Sequence, residues 1–334
     1  MTDIYRQNRY FIVVGLLVIA AFAVSLRVGR YPLTVGEIAA IFAGGEVSDI
    51  ARAVFLTLRL PRTIMALLAG AALGLAGSVF QLVFKNPLAA PEIVGAASGA
   101  NLGAALAIVM FGHQSGAILA TSAFVGSIVV VFLVVALARI SRNNSTVTFL
   151  LAGIVMRAVS DACIMILRVF ADPERELAAM EFWAMGSLGA ITATRVMAIT
   201  PFFLVGFVGL VIARRHIVIL GLEDDESGTL GVPVKRVRVV VLALASLTVA
   251  AVICMTGLIA FVGLIAPHVA RLALRRIGFA WCMLSSLIGA LILIVADSFA
   301  RSLATVEIPI SILTTFIGVP ILLYFMQNRR AGKV

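Results

Sequence analysis

Residues 58–103 read LRLPRTIMALLAGAALGLAGSVFQLVFKNPLAAPEIVGAASGANLG. Arg59 and Arg62 flank a proline at the start of this stretch, and an apolar run rich in small residues follows. The run ends in a polar, proline-rich hinge at 85–91, after which a second apolar run begins. Because a run of about 20 apolar residues is long enough to cross a bilayer, the stretch predicts a span, a cytoplasmic hinge and a second span.

The composition of the whole chain extends this interpretation. Its 334 residues are 62% hydrophobic and only 13% charged, whereas soluble domains carry about 25% charged residues. Apolar runs occupy 10–26, 62–84, 93–111, 116–138, 146–169, 192–213, 237–258, 281–300 and 309–326, with a shorter one at 258–270. Backbone groups in lipid must be paired within the segment, so we predict an all-α polytopic membrane protein. About ten transmembrane helices form a single domain, 1–334.

The net charge of +10 is explained better by membrane orientation than by nucleic-acid binding, since cytoplasmic loops are enriched in Lys and Arg. With the N-terminus inside, 16 of the 26 basic residues fall on the cytoplasmic side. Both termini are therefore predicted to be cytoplasmic, although the outer face is still rich in arginine.

The sequence offers no catalytic chemistry. A Walker A loop requires G-x-x-x-x-G-K-[ST], but only Lys333 follows a glycine, and Val334 comes next. Neither a nucleophile set nor a Cys/His cluster with metal-ligand spacing is present, and the three cysteines fall in apolar runs as expected for buried free thiols. We predict that the chain is not an enzyme and binds no cofactor or metal.

Ionisable residues inside predicted spans attract attention because they are costly there. Arg157 and Asp161 stand four residues apart on one helix face, either as a relay or path lining or as a structural bridge between helices. Asp297 and Arg301 have the same spacing near an outer membrane edge, where snorkelling is the simpler interpretation. The small-residue series around Gly74 and Gly99 predict close helix packing.

One cytoplasmic loop has a distinctive charge pattern. Residues 213–238 read ARRHIVILGLEDDESGTLGVPVKRVR, an acidic cluster between basic flanks. The loop is long enough for two short helices, and it is either a docking surface for a partner or a plain solvated connector.

Several blocks in order make the chain resemble the FecCD-type (type II) permeases of ABC importers for ferric siderophores, haem or cobalamin. The blocks are LRLPR at 58–62, NPLAAPEIVGAASGA at 86–100, FWAMGSL at 182–188, the LG…LG loop at 220–231, TGLIAFVGLIAPHVAR at 256–271, AD…AR at 296–301 and EIP at 307–309. The resemblance implies a permease subunit in the bacterial cytoplasmic (inner) membrane. Its implied partners are a second permease copy (homodimer) or close paralogue, two ATP-binding cassette subunits, and a periplasmic or lipid-anchored solute-binding protein.

The resemblance also assigns roles to residues. Arg59, Arg62 and Arg301 match outer-face arginines that meet carboxylates on the binding protein. The ATPase coupling loop matches Leu220, Gly221, Glu223, Asp224, Asp225, Glu226, Leu230 and Gly231. His268, after Pro267, is expected to pair backbone carbonyls where the proline breaks the helix. The chain departs from the family pattern at Ser227-Gly228, where Ala-Arg is usual, and at Ser311, where glycine is usual.

These roles predict alternating access driven by partner ATPase subunits, with a path between two copies lined by the second, fifth and tenth helices. An iron chelate, most simply a ferric siderophore, is the expected cargo, while haem and cobalamin stay open because no side chain identifies a chelate. A proton-coupled secondary transporter using Arg157, Asp161 and Asp297, or a membrane scaffold or sensor without flux, are the alternatives from other classes.

Overall fold

The computed structural model describes residues 2–29, 31–112, 116–140, 146–222, 227, 232–274, 276–303 and 306–330. The helices are α1 (Thr2–Arg27), α2 (Val35–Ala43), α3 (Asp49–Ala53), α4 (Leu60–Val83), α5 (Ala96–Phe111), α6 (Gly116–Ile140), α7 (Thr146–Phe170), α8 (Glu176–Met185), α9 (Ala193–Ile212), α10 (Arg214–Leu220), α11 (Val234–Thr256), α12 (Val262–Ala273), α13 (Phe279–Ala300) and α14 (Ile310–Arg330). A π-helical turn, Val54–Arg59, joins α3 to α4, and a 3₁₀ turn, Pro91–Val94, precedes α5.

The predicted all-α membrane architecture is confirmed. Within the described residues, seven helices are long and apolar enough to cross a bilayer, and they coincide with predicted spans. The shorter apolar helices α5, α12 and α14 account for the other three. The predicted short span at 258–270 begins too early. Gly257 and Phe261 adopt positive φ angles of 69° and 67°, which keep the backbone between them out of the helix.

Helix α4 forms the centre of the bundle. From Ala69 to Val83 nearly every residue is buried, and α4 packs against α11, α12 and α13. A Cβ atom at Gly70, Gly74 or Gly77 would collide with a backbone carbonyl oxygen of a neighbouring helix. The glycines therefore let α4 touch its neighbours backbone to backbone, which confirms the predicted close packing. From Ala69 to Val83 the surface of this second span is covered within the subunit, so only its half-buried first turns could line the predicted path.

Helices α5 and α6 also pack closely through their glycines. A Cβ at Gly99 would strike the carbonyl oxygen of Gly126, and one at Gly103 would strike that of Ser122. Both small-residue series of the 58–103 stretch thus serve helix packing.

The non-helical backbone between α11 and α12 is held by a residue that departs from the family pattern. The Ser311 hydroxyl donates to the carbonyl of Leu258 (2.8 Å) and accepts from the amide of Ala260 (3.3 Å). Backbone groups at membrane depth must find partners inside the protein. Ser311 supplies two of these partners, which glycine could not do with a side chain.

Helix α12 continues through its proline. Pro267 lies inside the helix, so the prediction that it breaks the helix is wrong; the chain instead leaves helical geometry before α12. His268 does pair a backbone carbonyl, as predicted, since its Nδ1 lies 2.7 Å from the Leu264 oxygen. Its ring also meets Phe325 edge-on at 5.3 Å, joining α12 to α14.

The glycine contacts predict that the same substitution, glycine to alanine, has different effects on stability at two positions. Gly77→Ala places a methyl group against the Gly263 carbonyl, whereas Gly15→Ala in α1 places one where nothing lies within 4 Å. Overpacking costs about 1–3 kcal/mol, so we expect Gly77→Ala to lower the thermal midpoint of the detergent-purified protein. Gly15→Ala, which changes helix propensity in the same way, should leave it unchanged or raised. Equal midpoints would contradict the backbone contact.

Candidate functional site

Five charged side chains converge at one end of the bundle, called here the outer end. Arg59 and Arg62 come from the start of α4, Asp297 and Arg301 from the end of α13, and Glu307 from the segment before α14. We refer to these five residues as the outer cluster. The fold brings together all three arginines that the sequence predicted to dock a binding protein.

Arg62 is the bridge of the outer cluster. Its Nε donates to Asp297 Oδ1 at 2.8 Å, and its Nη2 donates to Glu307 Oε1 at 2.9 Å. The Arg62 side chain is 12% exposed and that of Asp297 is fully buried. Ser187 completes the set by donating its hydroxyl to Glu307 Oε1 at 2.9 Å. The Arg62 guanidinium thus joins α4 to α13 and to the entry of α14, and Glu307 extends the network to the segment after α8.

Arg301 forms an ion pair with the other oxygen of the same carboxylate, without a hydrogen bond between the two atoms. Its Nε lies 3.4 Å from Asp297 Oδ2, and its Nη2 donates to the carbonyl (2.7 Å) and the hydroxyl of Ser25 in α1. Burial lowers the pKa of Arg301 to about 10, against the opposing effect of Asp297, so it is still charged at neutral pH. The prediction that Asp297 and Arg301 snorkel at the interface is wrong, since α1 and α4 cover them.

Arg59 has a different task. Its guanidinium donates to the backbone carbonyls of Leu26 (3.1 Å), Arg27 and Tyr31, and the residue is 4% exposed. A guanidinium carries five donors in a rigid fork, which suits several carbonyls at the end of a helix. Arg59 therefore fixes the connection from α1 to α2 against the start of α4.

A cavity of about 480 Å³ opens beside the outer cluster. It is lined by Gly29, Tyr31, Val54, Leu58, Arg59, Arg62, Arg301, Val306 and Glu307. Three arginines stand against the two carboxylates of the cluster, which leaves one positive charge in surplus. A carboxylate from outside could meet that surplus through charge-assisted bonds; docking itself stays a prediction.

The predicted intramembrane pair lies on an uncovered face of α7. Arg157 Nε and Asp161 Oδ2 are 3.7 Å apart, and their side chains are 58% and 48% exposed. The pair is made within one helix and does not bridge two helices. Charges at mid-span do not face lipid, so this face of α7 meets water or protein in the assembled molecule.

The predicted coupling loop is only partly described. Its first short helix is α10, whose last residue, Leu220, is buried, and Gly221 lines a cavity of about 340 Å³ together with Lys85 and Asn86. The rest of the predicted set lies outside the described residues: Glu223, Asp224, Asp225, Glu226, Leu230 and Gly231. The loop therefore begins beside the hinge at 85–91.

Ser227, one of the departures from the family pattern, has a clear contact. Its buried hydroxyl donates to the carbonyl of Ile219 at 2.8 Å. Carbonyls in the last turn of a helix lack partners within the helix, so Ser227 stabilises the end of α10. Its neighbour Gly228 lies outside the described residues.

Sequence reasoning missed one member of the outer cluster. Glu307 entered only as the first residue of the EIP block, yet it pairs with Arg62 across 245 positions. Helical spacing rules find partners three or four residues away and cannot find this one. The available signal was chemical: an acidic residue beside a predicted span needs a cation, and Arg62 was at the same end.

The comparisons with known proteins agree over nearly the whole chain. The model of the FecCD transport family matches residues 16–328. The ferric enterobactin permease FepG of Escherichia coli is 35% identical over 94% of this chain and 95% of its own length. The cobalamin permease BtuC of Halobacterium salinarum is 36% identical over 85% of this chain and 76% of its own. A solved structure described as an inward-facing, metal-chelate type ABC transporter superposes with a TM-score of 0.86 at 31% identity, covering 96% of this chain and 99% of the other.

The outer cluster predicts that two arginines at the same end differ sharply in their effect on stability. Arg62→Ala leaves two carboxylates without their shared cation, and breaking a buried pair in this way costs about 3–5 kcal/mol. Arg168→Ala breaks an equally short pair, 2.9 Å from Glu181, whose side chains are 41% and 50% exposed; exposed pairs contribute about 0–1 kcal/mol. Thermal midpoints in detergent should fall clearly for the first variant only. A similar fall for both would show that burial does not set the strength of the cluster.

Proposed function

This chain belongs to the FecCD transport family and is an ABC importer permease, and on that premise we propose that it carries a ferric siderophore chelate into the cytoplasm. The importer assignment rests on the extent of the match, which covers nearly the whole chain in both sequence and structure. The choice of an iron chelate is supported by FepG, a relative whose name specifies ferric enterobactin. Haem and cobalamin are the other cargoes that the proposal admits.

The energy for transport is proposed to come from partner chains. The sequence lacks a Walker A loop, and permeases of this family carry no ATPase site. Two ATP-binding cassette subunits would therefore sit on the cytoplasmic face, against the loop that begins at Leu220 and Gly221. Gly221 lines one cavity with Lys85 and Asn86 and lies against the side chain of Leu82 in α4, which supports the proposal that motion of the loop would reach the end of α4.

The outer end is proposed to receive a periplasmic or lipid-anchored solute-binding protein. Arg59, Arg62 and Arg301 line one cavity with a surplus positive charge, which favours a carboxylate partner. Because all three arginines also hold the fold, their positions are fixed before the partner arrives. Preorganised charges lose little entropy on binding, so they suit repeated docking and release.

Cargo is proposed to cross between two copies of the chain in the bacterial cytoplasmic membrane. Helices α7 and α14 both have uncovered faces, whereas α4 is covered from Ala69 to Val83. The Arg157–Asp161 pair on α7 gives this path a polar lining at mid-span. Alternating access would then open the path to one side at a time, while affinity for the chelate comes from the binding protein.

Reconstitution tests the importer and its docking site together. In proteoliposomes with the ATP-binding subunits, loaded binding protein is expected to stimulate ATP hydrolysis. Replacing surface Glu or Asp by Lys on both lobes of the binding protein should remove the stimulation, because the cavity beside the outer cluster would then face like charge. This design leaves the permease intact, which Arg62→Glu would not, since it would place three carboxylates together.

The control is a binding protein with the same number of reversals on a face away from its lobes, which should still stimulate. Stimulation that survives reversal on the lobes would refute docking by the arginines without touching the importer assignment. Uptake of the ferric chelate, of haem and of cobalamin, each with its own binding protein, decides the cargo.

The charged pair on α7 separates the importer from a proton-coupled secondary transporter. We expect Arg157→Leu/Asp161→Leu to keep the thermal midpoint of the wild type, since both side chains are half-exposed, and to slow chelate uptake. Uptake should still require ATP and should resist a protonophore. If a protonophore abolishes wild-type uptake in vesicles that lack the ATPase, the pair acts as a relay and the importer mechanism is wrong.

A further inference from the structure

An open groove lies between α6 and α9 near the outer end. Both helices pack on α11, which forms the floor, and the space between them measures about 520 Å³. Its walls and floor include Ala117, Thr121, Ala198, Phe202, Ala251 and Met255. The rings of Phe124 and Phe202, with centroids 5.0 Å apart, connect the two walls. We call this space the α6–α9 groove.

The groove opens toward the hydrocarbon region of the bilayer. Residues 117–138 of α6 and 196–213 of α9 contain no charged side chain, and their large exposed residues are apolar, among them Val129, Phe132, Val205 and Val208. The uncovered face of α7, which carries Arg157 and Asp161, differs in this respect. The α6–α9 side thus has a uniformly apolar surface that suits contact with lipid.

Among the described residues that line the groove, one is a cation, and it lies where the groove meets the outer end. Arg195, in the first turn of α9, lines the groove and reaches toward Gly116 at the start of α6. Its Nη1 donates to the carbonyl of Ala190 at 2.7 Å, and a guanidinium has further donors for other acceptors. From Arg195 to Phe202 is seven residues, or about 10 Å along the helix. The groove is therefore charged at its mouth and apolar below it.

We propose that the α6–α9 groove binds a membrane phospholipid, with one acyl chain between the helices and its phosphate held by Arg195. An apolar space left empty in the bilayer would forfeit dispersion contacts, and the acyl chain is the apolar group available at that depth. The rings of Phe124 and Phe202, 5.0 Å apart across the two walls, leave less room than a transmembrane helix of a second copy, about 10 Å wide, would need. Guanidinium and phosphate match in charge and geometry.

The adjoining cavity offers Arg195 an acidic neighbour that is already paired. That cavity, about 480 Å³, is lined by both Arg195 and Glu307. Glu307 Oε1 already receives bonds from Arg62 and Ser187. The guanidinium of Arg195 is thus the cation left for an anionic headgroup at this position.

Native mass spectrometry of the delipidated full-length chain tests the proposal with defined lipids. We expect phosphatidylglycerol to be retained and diacylglycerol with the same chains to be lost, because only the first carries a phosphate. Arg195→Gln should weaken phosphatidylglycerol binding about tenfold, the size of one lost charge-assisted bond, and Arg195→Lys should restore part of it. Ala198→Trp should remove the retained lipid by filling the groove.

The matched control is Met197→Trp, one position away on α9 but 66% exposed. It should keep the lipid, and gel filtration should show every variant to be folded and monodisperse. The proposal is overturned if Ala198→Trp and Met197→Trp retain the same lipid, or if diacylglycerol is held as tightly as phosphatidylglycerol. Either result would assign the retained lipid to the general belt around the protein.

Discussion

The backbone contact along α4 is the constraint on which the rest of the bundle depends. Gly70, Gly74 and Gly77 bring α4 against the carbonyl oxygens of α12 and α13, so that a helix with hardly any lipid exposure stands at the centre. In a bilayer no hydrophobic force drives helices together, and close van der Waals packing takes its place. Because these contacts fix the position of α4 against α13, they also set Arg62 beside Asp297 at the outer end.

The outer cluster is where fold and function share residues. Arg62 and Arg301 compensate the buried Asp297, and Arg59 satisfies three carbonyls where α1 ends. The same arginines line the cavity that we propose as a docking point. Lys and Arg are normally enriched on the cytoplasmic side of a membrane protein. The arginines at the outer end are explained first by their pairing inside the protein, and a docking partner would be a second reason for them.

Much of this architecture could be predicted from the sequence, and the exceptions have physical reasons. The length of the apolar runs predicted the spans, and the spacing of the glycines predicted the close helix contacts. Both signals lie in residues that are near one another in the chain. Glu307 was missed because its partner lies 245 positions away. The bounds of α12 were misplaced because Phe261 adopts a left-handed backbone that no propensity assigns to phenylalanine. Ser311 could be seen as a departure, but its acceptor at Leu258 appears only in three dimensions.

Burial of the arginines has a consequence for how such a permease can acquire a new partner. Removing any of the three arginines would change the charge of the proposed docking cavity and would also remove contacts that hold the bundle together, so the electrostatic part of recognition is tied to the fold. The adaptable part is the cavity's apolar rim, where Leu58 and Val306 are 53% and 75% exposed. A change of partner at this surface is therefore expected to proceed through the shape of the rim, while the charge of the cavity stays constant.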